Sequence, residues 1–238
     1  NGIVPQSQAN FTAGPRVALI QGNFPTSLKH NPNEAWRIIN QQYQLTGQAV
    51  KLGHRPELII WPETMYRNPL LVADPNLSEE ELRQAAPQVP AQRWHGGEVE
   101  KSLTTLSEQA GAALIIGLDA AVVDPAGFRH YNSAAFVQPG LGITGRYDKM
   151  HRVIFGEYIP LREQIPWLRS FTPFSEGFGI AAGKSASVFP LGSKRFLPVI
   201  CYEDTVPHLV RRMVRAADQN QQPIDCLVNL TNDGWFHG

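Results

Sequence analysis

Runs of apolar residues that stop abruptly at turn formers recur along the chain: "RVALIQGN", "ELIIWPE", "AALIIGLDAAVV", "NSAAFVQP", "ITGRYDK", "ASVFPL", "RFLPVICY" and "DCLVNLTND". Each is rich in Val, Ile, Leu or Phe and predicts a β-strand. Several are apolar at consecutive positions, the pattern of strands covered on both faces. Between the early runs the period lengthens to that of a helix. Asn31 and Pro32 set a cap and a first-turn proline, Glu34 completes a capping pattern, and Trp36, Ile39 and Tyr43 follow at helical spacing. Ser78 with Glu81 opens a second helix, and Leu103, Leu106 and Ala110 line a third that closes at Gly111. Farther on, "FVQPGLGI" and "FPLGSKRF" predict hairpin turns between antiparallel neighbours, and "DTVPHLVRRMVRAAD" predicts a helix before the last strand. Mixed sheets with helical cover, an α/β layered domain, is the expected architecture. The polar opening, residues 1–14, predicts a linker, and residues 15–238 a single domain.

Composition narrows the functions. In 238 residues, 42% hydrophobic, there is enough apolar material for a substantial core. Lys plus Arg equals Asp plus Glu at 21 each, so no global field draws in nucleic acid or an anionic surface. The longest apolar run is too short for a bilayer, which takes about 20 apolar residues, and Asp119 sits inside it. No initiator Met or leader pattern is present, and the chain reads as a piece of a longer protein. Two cysteines, Cys201 and Cys226, allow at most one bridge and no disulfide framework.

Three polar residues stand directly beyond apolar strands: Glu63 after "LIIWP", Lys149 after "GRYD" and Cys201 after "FLPVI". In layered α/β proteins ligands bind in the crevice beyond the carboxyl ends of strands, so the three are expected to converge there. Taken singly, each has a plainer reading: a cysteine at a strand end as a packed thiol, the lysine and glutamate as solvated charges. Together they suit acyl transfer through a thioester. Cys201 would attack a carbonyl carbon, its thiolate favoured by the start of a helix and by a nearby ammonium. Glu63 would take the thiol proton and return it to a leaving group. Lys149 would donate to the oxyanion of the tetrahedral intermediate. Cys226, inside "IDCLVNL", is expected in the core. The histidines lack the spacing of a zinc pair, so neither a metal nor another cofactor is expected; His151 is the one histidine placed near the site. "GLGITG" precedes no helix signal and is not read as a phosphate loop.

In this order, "WPE", "GRYDKMH", "CYED" and "NDGWF" resemble the nitrilase superfamily of carbon-nitrogen hydrolases. The resemblance implies an αββα sandwich with mixed sheets, cut short at its C-terminal end, and a Glu-Lys-Cys triad at Glu63, Lys149 and Cys201. Within the superfamily, "VALIQGNFPTSLK", "FGEYIPL" and "LTNDGWF" are most similar to the apolipoprotein N-acyltransferase family. That likeness implies a phospholipid acyl donor, a lipidated apolipoprotein acceptor and a bacterial inner-membrane location. The catalytic domain would face the periplasm and be carried by membrane segments outside this chain. It also implies supporting roles for Glu157, Tyr202 and Glu203. The alternative is a soluble amidase with water as acceptor, and a third reading is a binding domain without catalysis. Aromatic and aliphatic residues in "RVIFGEYIPL" and "PWLRSFTPF" are candidates for an apolar mouth or for loop packing.

Overall fold

The computed structural model describes residues 13–24, 32–153, 157 and 179–232. Strand β1 is Val17–Leu19, followed by a 3-10 turn Pro32–Glu34 and helix α1, Ala35–Lys51. Strand β2, Leu58–Ala73, leads to helices α2, Glu79–Ala85, α3, Ala91–Trp94, and α4, Glu98–Ala110. Strands β3, Ala113–Asp124, β4, Gly127–Gln138, and β5, Gly142–Asp148, follow in succession. The remainder comprises β6, Phe189–Leu191, β7, Lys194–Ile200, a 3-10 turn Cys201–Thr205, helix α5, Pro207–Gln219, and β8, Cys226–Leu230.

The strands form two sheets, β1-β2-β3-β4-β5 and β6-β7-β8. Both are mixed: β1, β2 and β3 run parallel and β4 and β5 alternate, while β7 pairs antiparallel with β6 and parallel with β8. The period-2 alternation of strand side chains divides each central strand between two cores. Ile59, Trp61, Leu114, Ile116, Ala135 and Val137 point to the side covered by Leu103, Leu106 and Ala110 of α4, with Tyr43 of α1 packed against them. Their neighbours Leu58, Ile60, Ala113, Ile115, Ala134 and Phe136 point to the other side. There they meet Phe189, Phe196 and Val199 of the second sheet, in one cluster with Leu209 and Met213 of α5. The layer order is helices, sheet, sheet, helix, the expected αββα sandwich. Consecutive apolar residues in "LIIW" and "LIIG" are required because both faces of the first sheet are covered. Burying each such side chain is worth about 1.5–3 kcal/mol.

Local signals hold where the chemistry is short-range. Ser78 and Glu81 form a reciprocal capping box at α2, and α4 closes on Gly111 at φ 62°, in the left-handed region that glycine adopts without a Cβ clash. Both expected hairpins, β4–β5 and β6–β7, are present. The first helix differs from expectation. It is entered through the 3-10 turn that begins at Pro32, and Glu34, where the α-helix starts, makes no side-chain cap bond; the expected cap Asn31 lies outside the described residues. Its buried face runs through Ile38, Ile39, Gln42 and Thr46, and Trp36 is 72% exposed. Thr46 is buried because its hydroxyl accepts from Trp61 Nε1 at 2.9 Å, a polar partner that apolar spacing does not reveal. Of the expected linker only Ala13 and Gly14 are described, and both are exposed.

Candidate active site

The first site residue sits on a break in a strand. Trp61 of β2 pairs with Ile116 and Tyr66 with Leu118, so residues 62–65 stand opposite the single Gly117. Such a bulge re-aims side chains away from the regular pleat. Thr64, at φ 51°, takes the left-handed conformation that the reversal needs. Gly117 is what allows the close approach: a Cβ there would lie 2.2 Å from the Pro62 carbonyl oxygen and 2.7 Å from Glu63 Cα. Glu63 is thereby held 6% exposed, and its Oε1 accepts from Asn132 Nδ2 at 2.7 Å.

Lys149 follows β5 and is fully buried. Its backbone is pinned on both sides, the N–H donating to the Asn132 carbonyl at 2.9 Å and the carbonyl accepting from Gly183 at 2.8 Å. Its ammonium donates to Glu157 Oε1 at 2.6 Å and lies 3.7 Å from Glu63 Oε1. Burial works against the charged ammonium, but Glu63 and Glu157 outweigh it and hold its pKa above the ordinary lysine value. The other oxygen of Glu157 accepts from the Val153 N–H at 2.8 Å, so this carboxylate fixes both the lysine and the segment that follows it.

Cys201 is the first residue after β7, at the sharp entry into a 3-10 turn, and its φ is 55°. A side chain with a Cβ in the left-handed region costs about 1–3 kcal/mol, a strain that the surrounding structure must hold in place. The sulfur is half-buried and feels the charges of Glu63, Lys149 and Glu157, so the structure brings together all three residues of the expected triad. The expected help from the helix start and the ammonium is outweighed at the sulfur. Burial pushes the Cys201 thiol up and the Glu63 carboxylate adds to the rise; the Lys149 ammonium and the Tyr202 N–H oppose it only in part. The helical element at the sulfur is a five-residue 3-10 turn, and two carboxylates accompany the one ammonium. The protonated thiol is thereby favoured over the thiolate at Cys201.

Glu203, fully buried, is the hub beneath this arrangement. Oε1 accepts from the N–H groups of Met150 and His151 at 2.7 and 2.9 Å, and Oε2 from Tyr147 Oη and the Ile200 N–H at 2.7 and 2.8 Å. Met150 and His151 follow Lys149 and Ile200 precedes Cys201, so one carboxylate ties the lysine segment to the cysteine turn. Burial, followed by the charge of Glu203, raises the Tyr147 hydroxyl pKa far above its ordinary value, and the phenol stays a donor. Tyr202 reaches the sulfur through its backbone N–H, while its side chain is 44% exposed. Asn229 of β8 braces the turn from beside, donating to Asp204 Oδ2 at 2.7 Å and to the Cys201 carbonyl at 3.3 Å.

Cys226 departs from expectation: it is exposed, not in the core, and both cysteines are free. Among the described residues β8 lies at one edge of its sheet, with Val228 and Leu230 its buried positions. Asn132, Gly117 and Asn229 are site residues that the sequence reading did not single out. The available signals were a glycine inside an apolar strand run and an asparagine at the head of another. The candidate apolar mouth lies outside the described residues except for Arg152, Val153 and Glu157. Among the described residues no group of three or more His, Cys, Asp or Glu is placed to hold a metal ion, and no helix is long and apolar enough to cross a membrane.

A two-sheet αββα sandwich that gathers a glutamate from a bulge within one strand with a lysine and a cysteine from the ends of two others defines the class: an enzyme of the nitrilase type. The chain belongs to the carbon-nitrogen hydrolase family, whose model matches residues 16–237. Solved structures of that fold include a carbon-nitrogen hydrolase from Helicobacter pylori G27, 17% identical with a TM-score of 0.55 over 90% of this chain and 59% of that one. An amidase from Nesterenkonia sp. is 16% identical with a TM-score of 0.54, over 94% of this chain and 68% of that one. Among curated relatives, the apolipoprotein N-acyltransferase of Geobacter metallireducens is 29% identical over 98% of this chain, and that of Chlorobaculum tepidum 31% over 93%. The chain spans 38% and 40% of the length of those two proteins.

Proposed function

We propose that the chain is the catalytic domain of an apolipoprotein N-acyltransferase, with Glu63, Lys149 and Cys201 as its catalytic residues. The observation that carries the chemistry is the buried Lys149 ammonium, held between Glu63 and Glu157 and coupled in charge to the Cys201 thiol. Glu63 takes the Sγ proton as the sulfur attacks an ester carbonyl carbon of a phospholipid. The oxyanion that forms is met by Lys149, a donor already oriented and desolvated. Collapse breaks the ester C–O bond, and Glu63 returns the proton to the departing lysophospholipid oxygen. The acyl chain is left on Cys201 as a thioester. In the second half the free amine of a lipidated apolipoprotein attacks the thioester, Glu63 takes its proton, and the C–S bond breaks. The proton returns to sulfur and the amide leaves. Glu157 and Glu203 are positioning residues for Lys149 and for the cysteine turn, and Tyr202 supplies an N–H to the sulfur. The matched relatives, all named apolipoprotein N-acyltransferase, support lipid and lipoprotein as donor and acceptor. The same reading puts the protein at a bacterial inner membrane, with the domain on the periplasmic side and carried by membrane segments outside this chain.

The test is incubation of the full-length protein with acyl-labelled phospholipid. A hydroxylamine-labile label on Cys201, lost in Cys201→Ala and discharged by a lipidated apolipoprotein, is the expected result. Label released as free fatty acid at the same rate with or without the amine acceptor would replace the transferase with a hydrolase. No label on Cys201 would overturn the thioester itself.

A further inference from the structure

The helix that follows the nucleophile carries a charge pattern that its own stability does not explain. α5 buries Leu209, Met213 and Ala217, and its opposite side exposes His208, Arg211, Arg212 and Arg215. With Ala216 and Gln219 these four line an open groove of about 390 Å³, and no acidic residue contributes to its wall. Most other exposed arginines are paired, Arg16 with Glu57, Arg37 with Glu34, Arg83 with Glu79 and Glu80, Arg93 with Glu98; among the described residues Arg55 stands alone, whereas α5 gathers three unpaired guanidinium groups on one face. Among the described residues Arg211, Arg212 and Arg215 have no ion pair. The arrangement works against the helix. Cations three and four residues apart repel one another, and His208, Arg211 and Arg212 crowd the half of α5 nearer its positive dipole end. Nor does the patch reflect a basic protein, since the formal net charge is zero.

We propose that this face of α5 docks on the phosphodiester headgroups of an anionic phospholipid bilayer and holds the Cys201 turn against the membrane. Naming lipid as the partner rests on the acyl-transfer reading. Guanidinium groups pair with phosphate through two parallel hydrogen bonds, and a cluster of them accumulates favourable energy at an anionic surface. The groove is open and runs along more than two helical turns, which suits a row of headgroups better than one enclosed ligand. The position is apt: α5 begins at Pro207, one residue after the Cys201–Thr205 turn, so the basic face and Cys201 are joined by a single short element.

The experiment is co-sedimentation of the 238-residue chain, its fold first established by a cooperative urea transition, with vesicles of phosphatidylcholine alone and with vesicles that also contain phosphatidylglycerol. Binding is expected only to the anionic vesicles and is expected to be lost at high salt. Arg211→Gln, Arg212→Gln and Arg215→Gln together should weaken it on the order of a hundredfold, and lysine at the same three positions should restore most of it. The glutamine variant should still be acylated on Cys201 by a dispersed short-chain ester at the parental rate, which certifies its fold and its site. Equal binding to both vesicle types, no binding to either, or undiminished binding by the triple variant would overturn the proposal. So would a dimer that the triple variant dissociates, which would give the face to a second copy of the chain. Cys201→Ala should bind vesicles like the parent. If the full-length protein forms no acyl-enzyme from phospholipid yet the chain still binds anionic vesicles, the acyl-transfer reading fails alone; if acylation succeeds and vesicle binding fails, only the docking surface falls.

Discussion

Glu63 and Glu203 are both buried carboxylates within reach of the same cysteine turn, and they are used in opposite ways. Glu203 accepts four hydrogen bonds, two on each oxygen, from one phenol and three backbone N–H groups. Among the described residues Glu63 accepts one, from Asn132, on the oxygen that also faces Lys149 at 3.7 Å. A carboxylate whose lone pairs are all committed cannot take a proton from a substrate or a thiol without breaking the structure it holds. One that keeps an oxygen uncommitted can. On the proposed mechanism the difference separates the residue that positions the site from the residue that works in it, although burial alone would rank them alike.

The largest effect should come from Glu203→Ala, which leaves four buried donors unmatched. At roughly 1–3 kcal/mol per orphaned group, the loss of stability is expected to be on the order of 5 kcal/mol, read as a large fall in the urea midpoint. Glu203→Gln, with the shape kept but two N–H donors turned towards donors, should fall between the alanine variant and the parent. A glutamine variant as stable as the parent but inactive would break the distinction and move Glu203 into the chemistry. Next in size, Glu63→Gln should slow acylation of Cys201 by about 10²–10⁴-fold, the usual range for a lost general base, with little change in the urea midpoint. Lys149 retains Glu157 at 2.6 Å, and Asn132 retains an amide oxygen to donate to. Single-turnover labelling measures the first and denaturation the second. A variant that unfolds readily would make Glu63 another structural carboxylate.

Gly117→Ala probes how Glu63 is kept apart from the ladder. The added Cβ would press on the backbone at Pro62 and Glu63, so β2 must shift. A cost of about 1–3 kcal/mol is expected, typical of overpacking, together with slower acylation because Glu63 moves. Unchanged acylation in a destabilised variant would show that the bulge holds the fold and not the base.

Most of the sandwich was legible because its signals are local or periodic. Two-faced apolar runs gave the covered sheets, Ser78–Glu81 gave a cap, and the glycines at 140 and 192 fell at hairpins. Glu63, Lys149 and Cys201 could be picked out as polar residues following apolar runs, although Glu63 sits on a bulge inside β2 and not beyond its end. What stayed hidden depends on partners distant in the chain. Trp36 fits a helical face by spacing, yet the buried face is fixed by Thr46 meeting Trp61. Cys226 lies in an apolar run, yet an edge strand leaves it exposed. Asn132 meets Glu63 across 69 positions, and Glu203 binds groups more than 50 positions away. The balance of charge at the thiol depends on distant partners too: the helix start and the lysine favour thiolate, and only the fold shows how far burial and the Glu63 carboxylate oppose them.

The smallest predicted effect tests that electrostatic balance, and its sign follows from the partners. Burial raises the Cys201 pKa, Glu63 raises it further, and Lys149 lowers it. At a given pH near neutrality the thiolate fraction is therefore below that of an ordinary thiol, and alkylation by iodoacetamide should rise only as the pH climbs past the usual thiol range. Glu63→Gln removes a charge that disfavours thiolate, so its alkylation profile should move to lower pH and the rate at neutral pH should increase. Lys149→Met removes the charge that favours thiolate and should move the profile to higher pH. Peptide mass spectrometry of the alkylated chain follows Cys201, with the exposed Cys226 as internal reference, whose profile should stay in place. The Glu63→Gln variant is then faster in alkylation and slower in acylation. That opposition distinguishes a proton acceptor from a carboxylate that merely sets the local field: the reagent needs only thiolate, whereas the acylation cycle must also hand the proton to a leaving group. If both rates fall together, Glu63 acts by holding the site in shape, and its contrast with Glu203 disappears.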